Sequence, residues 1–493
     1  MPASSHSTSD APEAGSTRTP QATDGTTATT STTSAWAPDG DAPTGPPHSD
    51  FNRAGRRREL TQSQQAGGPR GTTGDAGRAT SNSEFPRTPW RQRLARVLLA
   101  FVLSKLGLII IGYVTITAFA PFADASGALN WGVYAYGREE DYNLVNMWFR
   151  WDSNHYYNLV GFDYLRPLTA EEHQQLQDAM NGEWQPVMAS LHRFTFPPLF
   201  PMLAKPLALL MGPAAAMLVV ANAALIGSLW FIDKLAENLF GGAEHGRRAM
   251  IYLAIFPGAY LLHAALTESL FLFLCLATFH FAWTNRWGLV GVFGFALGLT
   301  RSSGFTLALA LALVALSQAG WRFDAAAIKG YLRKAPAIVA PGVAWACFMA
   351  WCLAMTGDAF AYSHLQQSGW GITMVAPWQP FIDTLSQDSP DTIEVYKLVF
   401  VLVLVALLIL CLRALPVAYG VAGLAVLLVA MSIGAPWHQS ILRYAAVEFP
   451  VVLLAAAAAK RWPRLEMIWV APMVAAQTVM MMLWTLPYTM VII

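Results

Sequence analysis

Residues 396–434 read YKLVFVLVLVALLILCLRALPVAYGVAGLAVLLVAMSIG. The two halves, 396–413 and 417–434, are apolar runs of about eighteen residues joined by a short break. As helices, such runs are long enough to cross the roughly 30 Å hydrocarbon core of a bilayer. The pattern recurs along the chain at 95–119, 213–232, 249–265, 267–284, 288–302, 304–320, 335–356, 444–459 and 466–487. Residues 249–302 are apolar nearly throughout and divide poorly. The segment 196–211 holds four prolines and reads as a further short or re-entrant helix. The expectation is an all-α polytopic membrane protein with about eleven transmembrane helices.

Composition agrees. Of 493 residues, 54% are hydrophobic, 13% are charged and 18 are Trp. A soluble domain carries roughly 25% charged residues. The net charge of +1 sets up no global field that would attract nucleic acid. No phosphate-binding glycine loop and no zinc-type Cys/His spacing is present. The four cysteines, Cys275, Cys347, Cys352 and Cys411, all lie in apolar runs and read as buried thiols.

Residues 1–85 are a different kind of chain: Ser, Thr, Ala, Gly and Pro with scattered charge. Without an apolar period they cannot bury enough surface to offset their ordering entropy, and they read as a disordered tail before a transmembrane domain at 86–493. No apolar core follows a short basic start, so the tail does not read as a signal peptide. Its basic end, NRAGRRRE and then RTPWRQRLAR, suits a membrane-surface or topology role. Lys and Arg in short loops set orientation. The tail and the loops holding Lys234, Arg286, Lys329, Arg413 and Lys460 are expected inside, which places 120–195, 265–268, 301–304, 357–395 and 434–443 on the non-cytoplasmic face. The expected location is the plasma membrane.

The polar residues that interrupt apolar sequence fall on that outer face. The first loop carries WFRWDSNHYY at 148–157. If helical, it sets Asp152 and His155 on one face with Tyr156 beside them. The alternative is an interfacial helix with incidental polar residues. REEDY, with Glu139, Glu140 and Asp141, reads as a solvated cluster. Glu268 begins an apolar run, either in the first turn of a helix capped by Thr267 or as a functional carboxylate. His263 reads as a packed interfacial histidine. Arg301, in LGLTRSSGF, either snorkels to headgroups at a turn made by Gly304 or holds a phosphate. His438, Arg443, Tyr444 and Glu448 punctuate the region from 438 to 450, where Arg443 and Glu448 are open to partners inside the bundle. Together these residues put a carboxylate, histidines and two arginines toward one face. Lipid-phosphate chemistry needs such a set: guanidinium donors for a leaving phosphate and a carboxylate base for an attacking hydroxyl.

RWDSNHYYNLVGFDY, FTFPPLFPML, ALTESLFLFL, LTRSSGF and HQSILRYAAVEFP occur in that order. The set resembles the phosphatidylinositol-glycan class V family, which contains the second mannosyltransferase of GPI-anchor synthesis and bacterial relatives. The resemblance covers about 90–460 and excludes the tail. Thr195 stands where the family often has an aromatic, and Asp163 is inserted before Tyr164. The resemblance implies a multi-spanning enzyme of the glycosyltransferase C superfamily, with Asp152 matching the key acid of the first non-cytoplasmic loop. It implies transfer of mannose, with inversion, from a polyprenyl-phosphate mannose to a hydroxyl on a glycolipid, glycan or protein. In that scheme Asp152, its pKa raised by a partly dry site, is the base. Arg301 and Arg443 take the leaving phosphate, and His155 orients Asp152 or touches the phosphate. Glu268 grips the sugar, and Tyr156, His438 and Tyr444 complete the substrate-binding set. No metal ligand is named, and no cofactor beyond the lipid-linked donor. The partners expected are membrane lipid, the polyprenyl-phosphate sugar and the acceptor, without nucleic acid. The competing readings are a transporter or flippase of lipid-linked sugars, a polyprenyl-phosphate arabinose transferase, and a scaffold acting through its tail.

Overall fold

The computed structural model describes residues 88–125, 145–388, 392–434 and 440–486. The tail, REEDY and His438 lie outside the described residues. The helices, in chain order, are α1 (Trp90–Ala125), α2 (Ser153–Val160), α3 (Ala170–Met180), α4 (His192–Thr195), α5 (Leu199–Met211), α6 (Pro213–Phe240), α7 (Ala243–Ala254), α8 (Ala259–Leu262), α9 (Glu268–Trp283), α10 (Trp287–Gly298), α11 (Leu307–Gln318), α12 (Ala325–Thr356), α13 (Ala361–Trp370), α14 (Gln379–Leu385), α15 (Thr392–Ala414), α16 (Val417–Met431), α17 (Ile441–Ala445), α18 (Phe449–Arg461) and α19 (Met467–Thr485). Among the described residues, five helices are long and apolar enough to cross a membrane: α1, α6, α12, α15 and α19 in whole or part. Shorter apolar helices α5, α9, α10, α11 and α16 pack with them. The chain is an all-α polytopic membrane protein.

Two expected spans are corrected. Residues 249–265 are not one helix: α7 ends at Ala254, and α8 is a separate short turn of helix. Between them stand Pro257 and Gly258. Proline removes a backbone donor and clashes with the preceding turn. Gly258 lies so close to α17 that an added Cβ would sit 2.8 Å from the Ala446 Cβ. Residues 444–459 are likewise split into α17 and α18, with Pro450 in the first turn of α18. The segment 196–211 is helical as α5, with Pro206 inside it.

These interruptions matter because helix ends leave backbone groups unpaired, which a membrane protein tolerates only when buried in protein or lining a cavity. Here they coincide with polar side chains. His263 and Thr267 follow α8, and Glu268 starts α9. Arg301 falls between α10 and a 3-10 turn over Ser302–Thr306. Arg443 lies on α17 and Glu448 just before α18. The opposite ends of α9 and α18 lead to Arg286 and to Lys460 and Arg461. The bundle therefore has one end built of broken helices and polar side chains, and another marked by basic residues.

Over the broken end sit the two long loops. Helices α3 and α4 pack against α13, joined by Gln366 Nε2 donating to the Thr195 carbonyl at 2.9 Å and Ser368 Oγ donating to the Glu183 carbonyl at 2.6 Å. A separate apolar cluster, including Leu191, Phe194, Phe348 and Leu365, fixes this cap to α12. Below it, α10 packs against α9 and α12. A Cβ at Gly298 would stand 2.1 Å from the Pro341 carbonyl oxygen, so the end of α10 that carries Arg301 is seated by absence of a side chain. Gly298→Ala is expected to push α10 off α12 and cost about 1–3 kcal/mol, a typical overpacking penalty. Thermal unfolding of the detergent-solubilised protein checks this; an unchanged midpoint would refute the tight seat.

Candidate functional site

The WFRWD stretch is held rigidly before it reaches Asp152. Trp148, Phe149 and Arg150 are almost fully buried. Arg150 donates to the carbonyls of Trp484 at 3.3 Å and Thr485 at 3.1 Å, at the end of α19. The Trp484 indole donates to the Met147 carbonyl at 2.9 Å. On the other side, the Ala265 amide donates to the Trp148 carbonyl at 3.0 Å, which ties this segment to the loop leading to Glu268. Trp151 then adopts φ +52, a left-handed conformation that costs a non-glycine residue roughly 1–2 kcal/mol. The chain turns there, and Asp152 occupies the N-cap position of α2 without making a capping bond.

The carboxylate goes elsewhere. Arg443 Nη1 donates to Asp152 Oδ2 at 2.5 Å, and Arg443 Nε donates to Glu268 Oε1 at 2.5 Å. Arg301 Nη1 donates to the same Glu268 oxygen at 2.6 Å. Asp152, Arg443, Glu268 and Arg301 thus form one continuous chain of charge from four separate segments. Side-chain exposure rises outward from Glu268 at 0% through Arg443 at 7% and Arg301 at 13% to Asp152 at 24%. The two guanidiniums balance the two carboxylates, as burial requires. Thr267 makes no capping bond; its hydroxyl accepts from Arg301 at 3.5 Å, so the simple capping alternative is not what the helix start uses. Arg301 also lies over the Tyr444 ring, 4.9 Å from its centroid. Tyr362, from the second loop, donates to Ser302 beside it at 3.5 Å.

Donors remain. Arg301 engages only one terminal nitrogen, and Arg443 keeps its Nη2 without a partner among the described residues. Asp152 likewise bonds through Oδ2 alone. Burial pushes the Asp152 carboxyl up, but the charge and hydrogen bond of Arg443 outweigh it and hold the group below its ordinary value. The expectation of a raised value is reversed, because the carboxylate and guanidinium are in direct contact.

His155 does not orient Asp152 by a hydrogen bond. Its Nδ1 faces the Nδ1 of His192 at 3.0 Å, so one ring donates and the other accepts. Burial, and then the neighbouring His155, bring His192 down to about 3; burial also lowers His155, against the pull of Asp152. Both rings are neutral at physiological pH and add no charge to the site. His155 stacks on Phe196 at 5.0 Å and meets Trp370 edge-on at 5.7 Å. Tyr156 packs against Phe196 and Phe200. The result is an aromatic wall beside Asp152. His192, Trp370 and Tyr362 were missed in the sequence. His192 stands two residues before FTFPPLFPML, and that adjacency is the signal that could have found it.

Arg443 has partners inside the bundle, Glu268 and Asp152, whereas Glu448 is buried with its Oε1 unpaired among the described residues. His263 is buried, with its Nε2 3.0 Å from Ser104 Oγ, and Lys105 donates to its carbonyl at 3.2 Å while lying over the Trp148 ring. Among the described residues no group of three or more His, Cys, Asp or Glu side chains is placed to hold a metal ion.

No protein-family model and no curated protein matches the chain. Among solved structures, the crystal structure of ArnT from Cupriavidus metallidurans bound to undecaprenyl phosphate aligns with 68% of this chain and 75% of that one, at 13% identity and a TM-score of 0.38. That is a loose likeness of helical architecture.

Removing Glu268 leaves Arg301 without a carboxylate and Arg443 with only Asp152. Glu268→Ala is expected to cost about 3–5 kcal/mol, the usual penalty for breaking a buried pair from one side. Asp152→Asn, at the open end, should cost clearly less. Thermal melts of the two variants test the order, and equal losses would contradict the gradient of burial.

Proposed function

We propose that this chain is a membrane glycosyltransferase that moves mannose from a polyprenyl-phosphate mannose to an acceptor hydroxyl, on the non-cytoplasmic face and with inversion at C1. The observation that carries the proposal is the convergence of Asp152, Arg443, Glu268 and Arg301 from four distant segments into one partly open cluster. The five ordered sequence motifs point to the same activity, and each of these four residues comes from one of them.

The donor phosphate seats against the unoccupied nitrogens of Arg301 and Arg443. The acceptor oxygen attacks C1 while its proton passes to the free Oδ1 of Asp152. The C1–O bond to phosphate breaks, and the electron pair leaves on the polyprenyl phosphate, where the guanidiniums meet the new charge. Glu268 keeps both arginines aimed. The aromatic wall of Phe196, Trp370 and His155 offers flat faces for a sugar ring.

Asp152 is a weak base while Arg443 holds it. A bound phosphate draws on the same guanidinium, weakens its hold on the carboxylate and lets the carboxyl rise toward a more useful value. Donor binding thereby switches on the base. The group is active when ionised, so activity is lost as pH falls through its pKa. The acid limb of kcat/KM, which reports free protein, is expected below the ordinary aspartate range, because Arg443 holds the carboxyl down; the limb of kcat, which reports the loaded complex, is expected higher. Coincident limbs would remove the switch from the mechanism.

The direct test uses purified full-length protein with short-chain polyprenyl-phosphate mannose and candidate glycolipid, glycan and peptide acceptors. Asp152→Asn should fold normally and lose transfer by a factor of ~10²–10⁴. Near-normal turnover in that variant would defeat the assignment of the base.

A further inference from the structure

Away from the site, α15, α18 and α19 enclose an apolar groove of about 780 Å³. Its walls are mostly Val, Leu, Phe and Ala side chains, with Trp469 and Met473 from α19, and no acidic residue lines it. Along α15 the groove runs from Phe400 to Arg413, about 20 Å at helical rise. That is most of one leaflet's depth. One end carries Arg413 from α15, Arg461 from α18 and Trp462. The other end reaches Phe256 and Pro257, in the break between α7 and α8.

A basic residue in the last turn of a helix is favoured by the helix dipole. That accounts for one arginine on α15 and one on α18. It does not account for both lining the same end of one apolar groove, exposed and without an ion pair or hydrogen bond among the described residues. Trp462, 54% exposed, stands beside them in the position of an interfacial anchor. Two guanidiniums above an apolar slot complement a phosphate ester above a hydrocarbon chain.

We infer that this groove is a binding site for an anionic phospholipid of the leaflet opposite the candidate active site, its headgroup phosphate between Arg413 and Arg461 and its acyl chain along α15 and α18. The inner end of that chain rests on the α7–α8 break. The next residue, Gly258, lies against Ala446, three residues after Arg443. The lipid therefore fills the space behind the segment that presents Arg443.

The test titrates delipidated full-length protein with phosphatidylglycerol or phosphatidylcholine of identical acyl chains, with bound lipid counted by native mass spectrometry. Phosphatidylglycerol should bind more tightly than phosphatidylcholine. In the double variant Arg413→Gln/Arg461→Gln its affinity should fall on the order of 25-fold, from about fivefold per arginine, with phosphatidylcholine binding unchanged. Ala458→Trp, which fills the slot, should weaken both lipids. The arginine variant decides the matter alone if the tryptophan variant does not fold, because both arginines are exposed. Equal binding of the two lipids by the native chain, or full retention of phosphatidylglycerol by the double variant, overturns the inference. So does displacement of phosphatidylglycerol by a short-chain polyprenyl phosphate at lower concentration, which would give the groove to a different lipid.

Discussion

One carboxylate oxygen organises the polar end of this protein. Glu268 Oε1 accepts from Arg301 and from Arg443, and Arg443 passes the connection on to Asp152. Charges this deeply buried are tolerable only in company. Four segments must therefore arrive at the same place, and each arrives at a helix interruption. The interruptions are costly in lipid, because they free backbone groups that no water reaches. Their alignment at one end of the bundle, beneath a cap of two packed loops, is the arrangement in which those groups find protein partners.

The same constraint shapes the chemistry available there. With two arginines set against two carboxylates, the cluster is neutral as a whole, and the adjacent histidines are uncharged. An arriving anion has no unbalanced field to fall into; it must find the open edges of guanidiniums whose charge is already shared with carboxylates. Specificity in the proposed reaction then comes from geometry: a phosphate that reaches the open edges of both arginines, and a ring that lies along Phe196 and Trp370.

Much of the fold was legible because lipid imposes so plain a rule on composition. The runs that became α6, α12, α15 and α16 announce themselves by length and lack of charge. The breaks were less legible. Pro257 and Pro450 sit in sequence that hydropathy averages over, so α7 with α8, and α17 with α18, read as unbroken spans. The site residues were visible singly, as charges where charges are expensive. Their pairing was not, since Arg443 meets partners 175 and 291 positions away. Nothing local says that a guanidinium will meet a carboxylate rather than a ligand, and the direction of the Asp152 shift turns on that contact. His155 was assigned to Asp152 by helical spacing; its actual partner, His192, comes from a different helix, which no periodicity could reveal.

The anchorage of Arg150 has a consequence for how the molecule is made. The residue that fixes the approach to Asp152 is satisfied by carbonyls of Trp484 and Thr485, 334 and 335 positions later. During synthesis the first loop emerges long before those carbonyls exist. A ribosome-bound chain halted ahead of α19 would have most of its spans and all four charged residues of the cluster, yet its early loop would lack the Trp484 and Thr485 carbonyls that hold Arg150. Assembly of the earlier helices and completion of the site are thus separate events in time, and the second waits for α19.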